Sequence, residues 1–193
     1  LDDIEIDYIP QCAQPTQISI SNVGSNHATI NWLPTHSSDT AWYLYYRKIG
    51  TATTDSVYVT SIPYNLIGIY QASTYDVYVK TICGNGLSTA SHFSQFSTPC
   101  ATISSIPFFE NFDTVYWIET DMLPCWTGYS TDPYRIPQVT FTNNSPPNGL
   151  DILAFDGDYS IASTPQIDSS INISDLKVSL SIKRPYYYII YLT

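Results

Sequence analysis

The chain has 193 residues, enough for one large domain or two small ones with a real core. Its formal charge is −10, and its seven Lys and Arg are spread thinly, which argues against a nucleic-acid-tracking surface or an anionic membrane as partner. Seventeen Tyr, one Met, 13 Pro and eight Gly, in a background rich in Ser and Thr, form an all-β rather than a helical composition.

Residues 1–11 are an acidic leader without periodicity and read as a linker or the end of a preceding domain. No charged leader followed by an apolar run is present, so any signal peptide is expected to lie outside these residues. Strands are predicted from Cys12 onward. The first is 16–20, closed by the turn-like Asn22-Val23-Gly24-Ser25-Asn26. Residues 27–33 alternate, with Ala28, Ile30 and Trp32 on one face. Residues 41–48 alternate again: Trp42, Leu44 and Tyr46 on one face, Tyr43, Tyr45 and Arg47 on the other. Further strands are predicted at 55–60, 64–67, 74–82 and 90–97, with breaks at Gly68 and Gly84-Asn85-Gly86. Seven short strands with turns every 8–12 residues is a sandwich pattern.

Residues 12–99 resemble a fibronectin type III domain. Trp32 matches the family's core tryptophan, and Trp42-x-Leu44-x-Tyr46-Arg47 its third strand. Tyr64-x-Leu66-x-Gly68-Ile69 followed by Ser73-Thr74-Tyr75-x-Val77-x-Val79 matches the stretch around the tyrosine corner, where Tyr75 would hydrogen-bond to the chain just upstream. Gln71 stands where the family usually has Pro. The resemblance makes Trp32, Leu66 and Tyr75 the structural core. Its loop before the last strand reads Gly84-Asn85-Gly86-Leu87-Ser88 rather than Arg-Gly-Asp, so integrin recognition is not implied.

Cys12, Cys83, Cys100 and Cys125 form no C-x-x-C pair and have no His at zinc-ligand spacing. An even count in this background reads as two disulfides made in an oxidising compartment, with buried thiols as the alternative. In the resembled sandwich, Cys12 at the start of the first strand and Cys83 at the end of the sixth share one pole. Cys100 follows the last strand toward the opposite pole, roughly 25–30 Å away, too far for a bridge to either. The expected pairs are therefore Cys12–Cys83 and Cys100–Cys125.

Beyond Cys100 the texture changes. Pro107-Phe108-Phe109-Glu110-Asn111-Phe112-Asp113, Pro124-Cys125-Trp126, Pro137-Gln138-Val139-Thr140-Phe141 and Gly149-Leu150-Asp151-Ile152-Leu153-Ala154-Phe155 follow one another. Ala162 to Asp168 comes next, and 173–183 alternates through Leu176, Val178, Leu180 and Ile182. This order resembles the cleaved-adhesin jelly-roll module of bacterial surface proteins, related to the MAM fold. Residues 100–193 are accordingly expected to be an incomplete jelly-roll-type β-sandwich, interrupted in the aromatic run Tyr186 to Tyr191.

No nucleophile elbow, zinc helix or P-loop is present, and His27, His36 and His92 stand apart in sequence, so no enzyme is expected. The resemblance to the second module places Glu110 and Asp113 near a structural calcium, whose hard-oxygen preference suits carboxylates; ordinary solvated carboxylates are the alternative. Asp156-Gly157-Asp158 reads as a calcium-loop fragment or a common turn. Tyr43 with Tyr45, and Tyr129 with Tyr134, are candidate sugar-stacking platforms, cross-strand packing being the competing reading. The function expected is a non-catalytic adhesion region that binds an extracellular glycan or protein, within a larger secreted or surface-anchored bacterial protein. The alternative is an accessory or spacer segment of a secreted hydrolase or peptidase.

Overall fold

The structure is a computed structural model and describes residues 10–84, 86–112, 124–140, 148–153 and 157–179. Two compact units divide the chain, Leu1–Cys100 and Ala101–Thr193. Among the described residues no α-helix occurs, and no helix is long and apolar enough to cross a membrane.

The first unit contains β1 (Thr16–Ser21), β2 (His27–Leu33), β3 (Trp42–Lys48), β4 (Asp55–Val59), β5 (Tyr64–Ile67), β6 (Thr74–Cys83), β7 (Gly86–Leu87) and β8 (Ser94–Ser97). One sheet has the order β1-β2-β5; the other has the order β4-β3-β6-β7, with β8 also paired to β6. All pairings are antiparallel. Period-2 alternation turns one face of each sheet inward. The core is Ala28, Ile30 and Trp32 from β2, Trp42 and Leu44 from β3, Val59, Leu66, Tyr75, Val77 and Val79, closed by Ile69 and Phe96. Fully burying each larger side chain contributes about 1.5–3 kcal/mol, so this cluster is the main source of stability. Trp32, Leu66 and Tyr75 all lie in it, as expected.

The tyrosine corner forms. The Tyr75 hydroxyl accepts a hydrogen bond from the Tyr70 N–H at 2.9 Å. Gly68, just after β5, has φ +76, a conformation glycine adopts without a Cβ penalty. Tyr75→Phe leaves the Tyr70 N–H without its acceptor and is expected to lower stability by about 1–2 kcal/mol. Urea titration of the variant checks this, and an unchanged midpoint would show that water replaces the hydroxyl at no cost.

Two expected elements differ. Strand 90–97 shortens to β8, and the gap is bridged by serines. The Ser88 and Ser91 hydroxyls accept from the Thr81 and Val79 N–H groups, both at 2.9 Å. Their own N–H groups donate to the same residues' carbonyls, at 3.0 and 2.9 Å. Side-chain oxygens thus take half the ladder's work, and the segment satisfies β6 without becoming a strand. Within the expected break at 84–86, Gly86 and Leu87 pair with Cys83 and Ile82.

Cys12 and Cys83 are bonded, with Cα atoms 5.8 Å apart. Cys100 and Cys125 are also in disulfide form and no cysteine is free, so the second pair is Cys100–Cys125. Both expected bridges are present.

In the second unit, β9 (Thr127–Ser130) pairs with β12 (Ser160–Ser163), and β10 (Gln138–Thr140) pairs with β11 (Gly149–Asp151), both antiparallel. Ile103 bridges Ile167 in parallel. The strand expected from 173 does not begin there: Ile173–Asp175 is a 3-10 turn. Asn172 caps it, accepting from the Ser174 N–H and donating to the Asp175 carboxylate. These local polar bonds outcompete the alternation of Leu176 and Val178. Tyr186 to Tyr191 lies outside the described residues.

Candidate functional site

The two outward faces of the sandwich differ in chemistry. The β1-β2-β5 sheet turns outward Ser19, Ser21, Thr29, Asn31 and Asn65, with the aliphatic Leu33 and Ile67 among these hydroxyls and amides. The larger sheet turns out aromatic rings. Register places Tyr58 of β4 opposite Tyr43 of β3, and Tyr45 of β3 opposite Tyr78 of β6. Phe93, just ahead of β8, closes on Tyr78 with centroids 4.8 Å apart. Tyr43 meets Tyr58 at 5.9 Å and Tyr45 at 6.2 Å, so the five rings are continuous. The outer two are the most open, Tyr58 at 56% and Phe93 at 65% exposure.

Tyr45 and Tyr78 lie 4.8 Å apart and only 5° from parallel. Coplanar rings cannot approach so closely, so these two face each other across the strands and present their edges to solvent. Burial first, and then the neighbouring phenols of Tyr78 and Tyr43, push the Tyr45 hydroxyl above its ordinary pKa, so it stays a neutral donor and acceptor. Lys80, opposite Tyr43, holds its ammonium 5.7 Å from the Tyr45 centroid, in cation–π range.

A polar row borders the rings. Asp76 accepts from Gln95 Nε2 and Arg47 Nη2, each at 3.1 Å. The Gln95 bond first, then the Arg47 bond, hold its carboxyl below the ordinary carboxylate value. A depressed folded pKa adds stability above the unfolded value and loses it as pH falls through the folded one. The Asp76 contribution is therefore present at neutral pH and disappears on strong acidification.

The remaining candidates do not converge on chemistry. His27, at the start of β2, bonds to Asn26, and His36, in the loop after β2, to the Pro10 carbonyl. Glu110 is not on a strand; its carboxylate accepts from the Phe112 N–H at 2.7 Å in a local turn. Asp113 and Asp156 lie outside the described residues. Among the described residues no three His, Cys, Asp or Glu gather to hold a metal. Asp158 accepts from Thr131 Oγ1 in a turn beside β12. Tyr129 pairs with Tyr159 at 5.7 Å rather than with Tyr134, which stands alone at 94% exposure. The sequence reading found Tyr43 and Tyr45 but missed Tyr58, Tyr78, Phe93 and Lys80. The outward phase of β6, opposite Val77 and Val79, carried the signal for Tyr78 and Lys80.

Two antiparallel sheets around one core, a tyrosine corner, a disulfide staple and one aromatic outer face define a β-sandwich module. Residues 13–97, under half of the chain, match the fibronectin type III domain family. Solved structures with a similar fold include a fibronectin type III domain of human collagen XX, 18% identical, covering 49% of this chain and 100% of that one, with a TM-score of 0.42. A two-domain fibronectin type III segment from chicken tenascin is 24% identical over 45% of this chain and 50% of that one, with a TM-score of 0.41. The FN5 domain of Drosophila Lar is 15% identical over 47% of this chain and 99% of that one, with a TM-score of 0.41. No curated protein matches the chain. Fibronectin type III domains serve as adhesion or spacer modules of multidomain proteins and are typically non-catalytic. With disulfides, they are typical of extracellular proteins.

Proposed function

We propose that this chain is the adhesion region of a larger secreted or surface-anchored protein, and that its sandwich binds an extracellular ligand through the outer face of the β4-β3-β6 sheet. One observation carries the reading: five contiguous rings occupy that face, while the opposite face carries hydroxyls and amides with two separate aliphatic side chains, Leu33 and Ile67, and no aromatic cluster. A spacer needs solubility on both faces and gains nothing from exposed Tyr58 and Phe93. Aromatic clusters with a polar border are the usual composition of a binding patch. The motif order beyond Cys100, which resembles the jelly-roll module of bacterial cleaved adhesins, supports a bacterial cell-surface setting.

The test is binding of the full chain to arrays of extracellular glycans and matrix proteins, repeated with Tyr78→Ser. Binding is expected to weaken about tenfold or more, as for a central interface residue, with the melting temperature little changed. Ligands held equally well by both forms would place the binding surface elsewhere.

A further inference from the structure

Resting on that reading, we propose that the ligand is a protein segment bearing a carboxylate, docked on the aromatic face with its acid against Lys80.

Ring geometry selects protein over sugar. Stacking a pyranose needs an open ring face; the central rings Tyr45 and Tyr78 each lose one to the other at 4.8 Å, and the most open rings, Tyr58 and Phe93, stand at opposite ends of the row. Tyr43 turns 71° from Tyr58, an edge-to-face contact that also consumes a face. What the centre of the patch offers is phenol edges and hydroxyls on rigid side chains. That is the amphipathic, low-entropy contact surface by which tyrosine-rich patches hold polypeptide. Ile82 and Leu87, paired side by side next to Lys80's row, extend it with aliphatic area for apolar side chains.

Charge selects an acidic segment. Residues 10–100 hold three cations, Arg47, Lys48 and Lys80. Arg47 is paired with Asp76, and Lys48 lies over the Tyr70 ring at 5.1 Å. Lys80 has ring neighbours and, among the described residues, no carboxylate in ion-pair reach. Covering this patch strips water from the Lys80 ammonium, which is costly unless the incoming surface supplies an anion. A partner with a carboxylate at that point restores the lost solvation and fixes its own register on the face. A partner without one leaves a buried, uncompensated charge. The Arg47–Asp76–Gln95 row is already satisfied internally and forms a polar rim.

The experiment pans a displayed library of random linear peptides on the immobilised full chain and measures the affinity of selected peptides by fluorescence polarisation. Selected peptides are expected to share an Asp or Glu beside an aromatic or aliphatic residue. Tyr78→Ser and Lys80→Glu should each weaken them about tenfold or more, with melting curves showing both variants folded. Changing the peptide's acid to Lys should restore binding to Lys80→Glu. Peptides without an acid, or peptides indifferent to Lys80→Glu, overturn the proposal. A uronic-acid oligosaccharide that binds, and is lost in Tyr78→Ser while no peptide is selected, overturns the protein segment but leaves the binding module standing. If neither peptide nor oligosaccharide binds, both readings fail together.

Discussion

Trp32→Ala is expected to lower the unfolding free energy of the sandwich by about 3–5 kcal/mol. Trp32 is 1% exposed, near the end of β2, and meets Trp42 edge-on with centroids 5.7 Å apart. Truncation removes its buried area and leaves a cavity between two sheets whose backbone ladders prevent collapse. The indole N–H is buried with no partner among the described residues, so the substitution strands no acceptor and the loss is one of packing. Trp32→Phe, which keeps most of the ring volume and removes the unpaired donor, should cost much less, within about 1.5 kcal/mol. Guanidinium titration of the two variants separates the effects. A loss below about 1 kcal/mol for the alanine variant would show that the core is not centred on this residue.

Cys12→Ser with Cys83→Ser is expected to cost about 4 kcal/mol. The bridge joins residues 71 apart in sequence, and closing a loop of that size restricts the unfolded chain by about this amount in the chain-entropy description. The effect acts on the unfolded state, so the folded variant should keep its near-ultraviolet dichroism and bind like the parent. Denaturation midpoints of parent and double variant give the difference, and the variant avoids the ambiguity of a reductant that would also open Cys100–Cys125. A loss under about 1 kcal/mol would mean that the reduced chain keeps native-like contacts between its first and sixth strands.

Much of the sandwich was legible because antiparallel strands with one wet face write a period of two into the sequence. The bounds expected for β2 and β5, 27–33 and 64–67, are those found. The disulfide pairing was legible once the fold was in hand, since strand direction decides which cysteines share a pole. Ser88 and Ser91 were not legible: a hydroxyl standing in for a ladder carbonyl leaves no periodic trace, and the run 90–97 looked like one strand. The aromatic face was half visible. Tyr43 and Tyr45 declare their phase within β3, but their contact with Tyr58, Tyr78 and Phe93 depends on cross-strand register, which no single segment carries. In the second unit, the polar turn at Asn172 occupies the start of the run 173–183, whose last four residues lie outside the described residues.

The Cys12–Cys83 bridge also changes how the sandwich answers a mechanical load. Tension applied along the chain between residues 10 and 100 passes through the sulfur atoms and bypasses everything between them. The 71-residue separation corresponds to roughly 250 Å of contour at about 3.5 Å per residue, and that length stays locked even when the sheets separate. Only the stretch from Gly84 onward, β7 and β8 included, is free to peel away from β6. A pulled molecule would therefore lengthen in a short step and keep the strands that build the aromatic face, β3, β4 and β6, inside the closed loop.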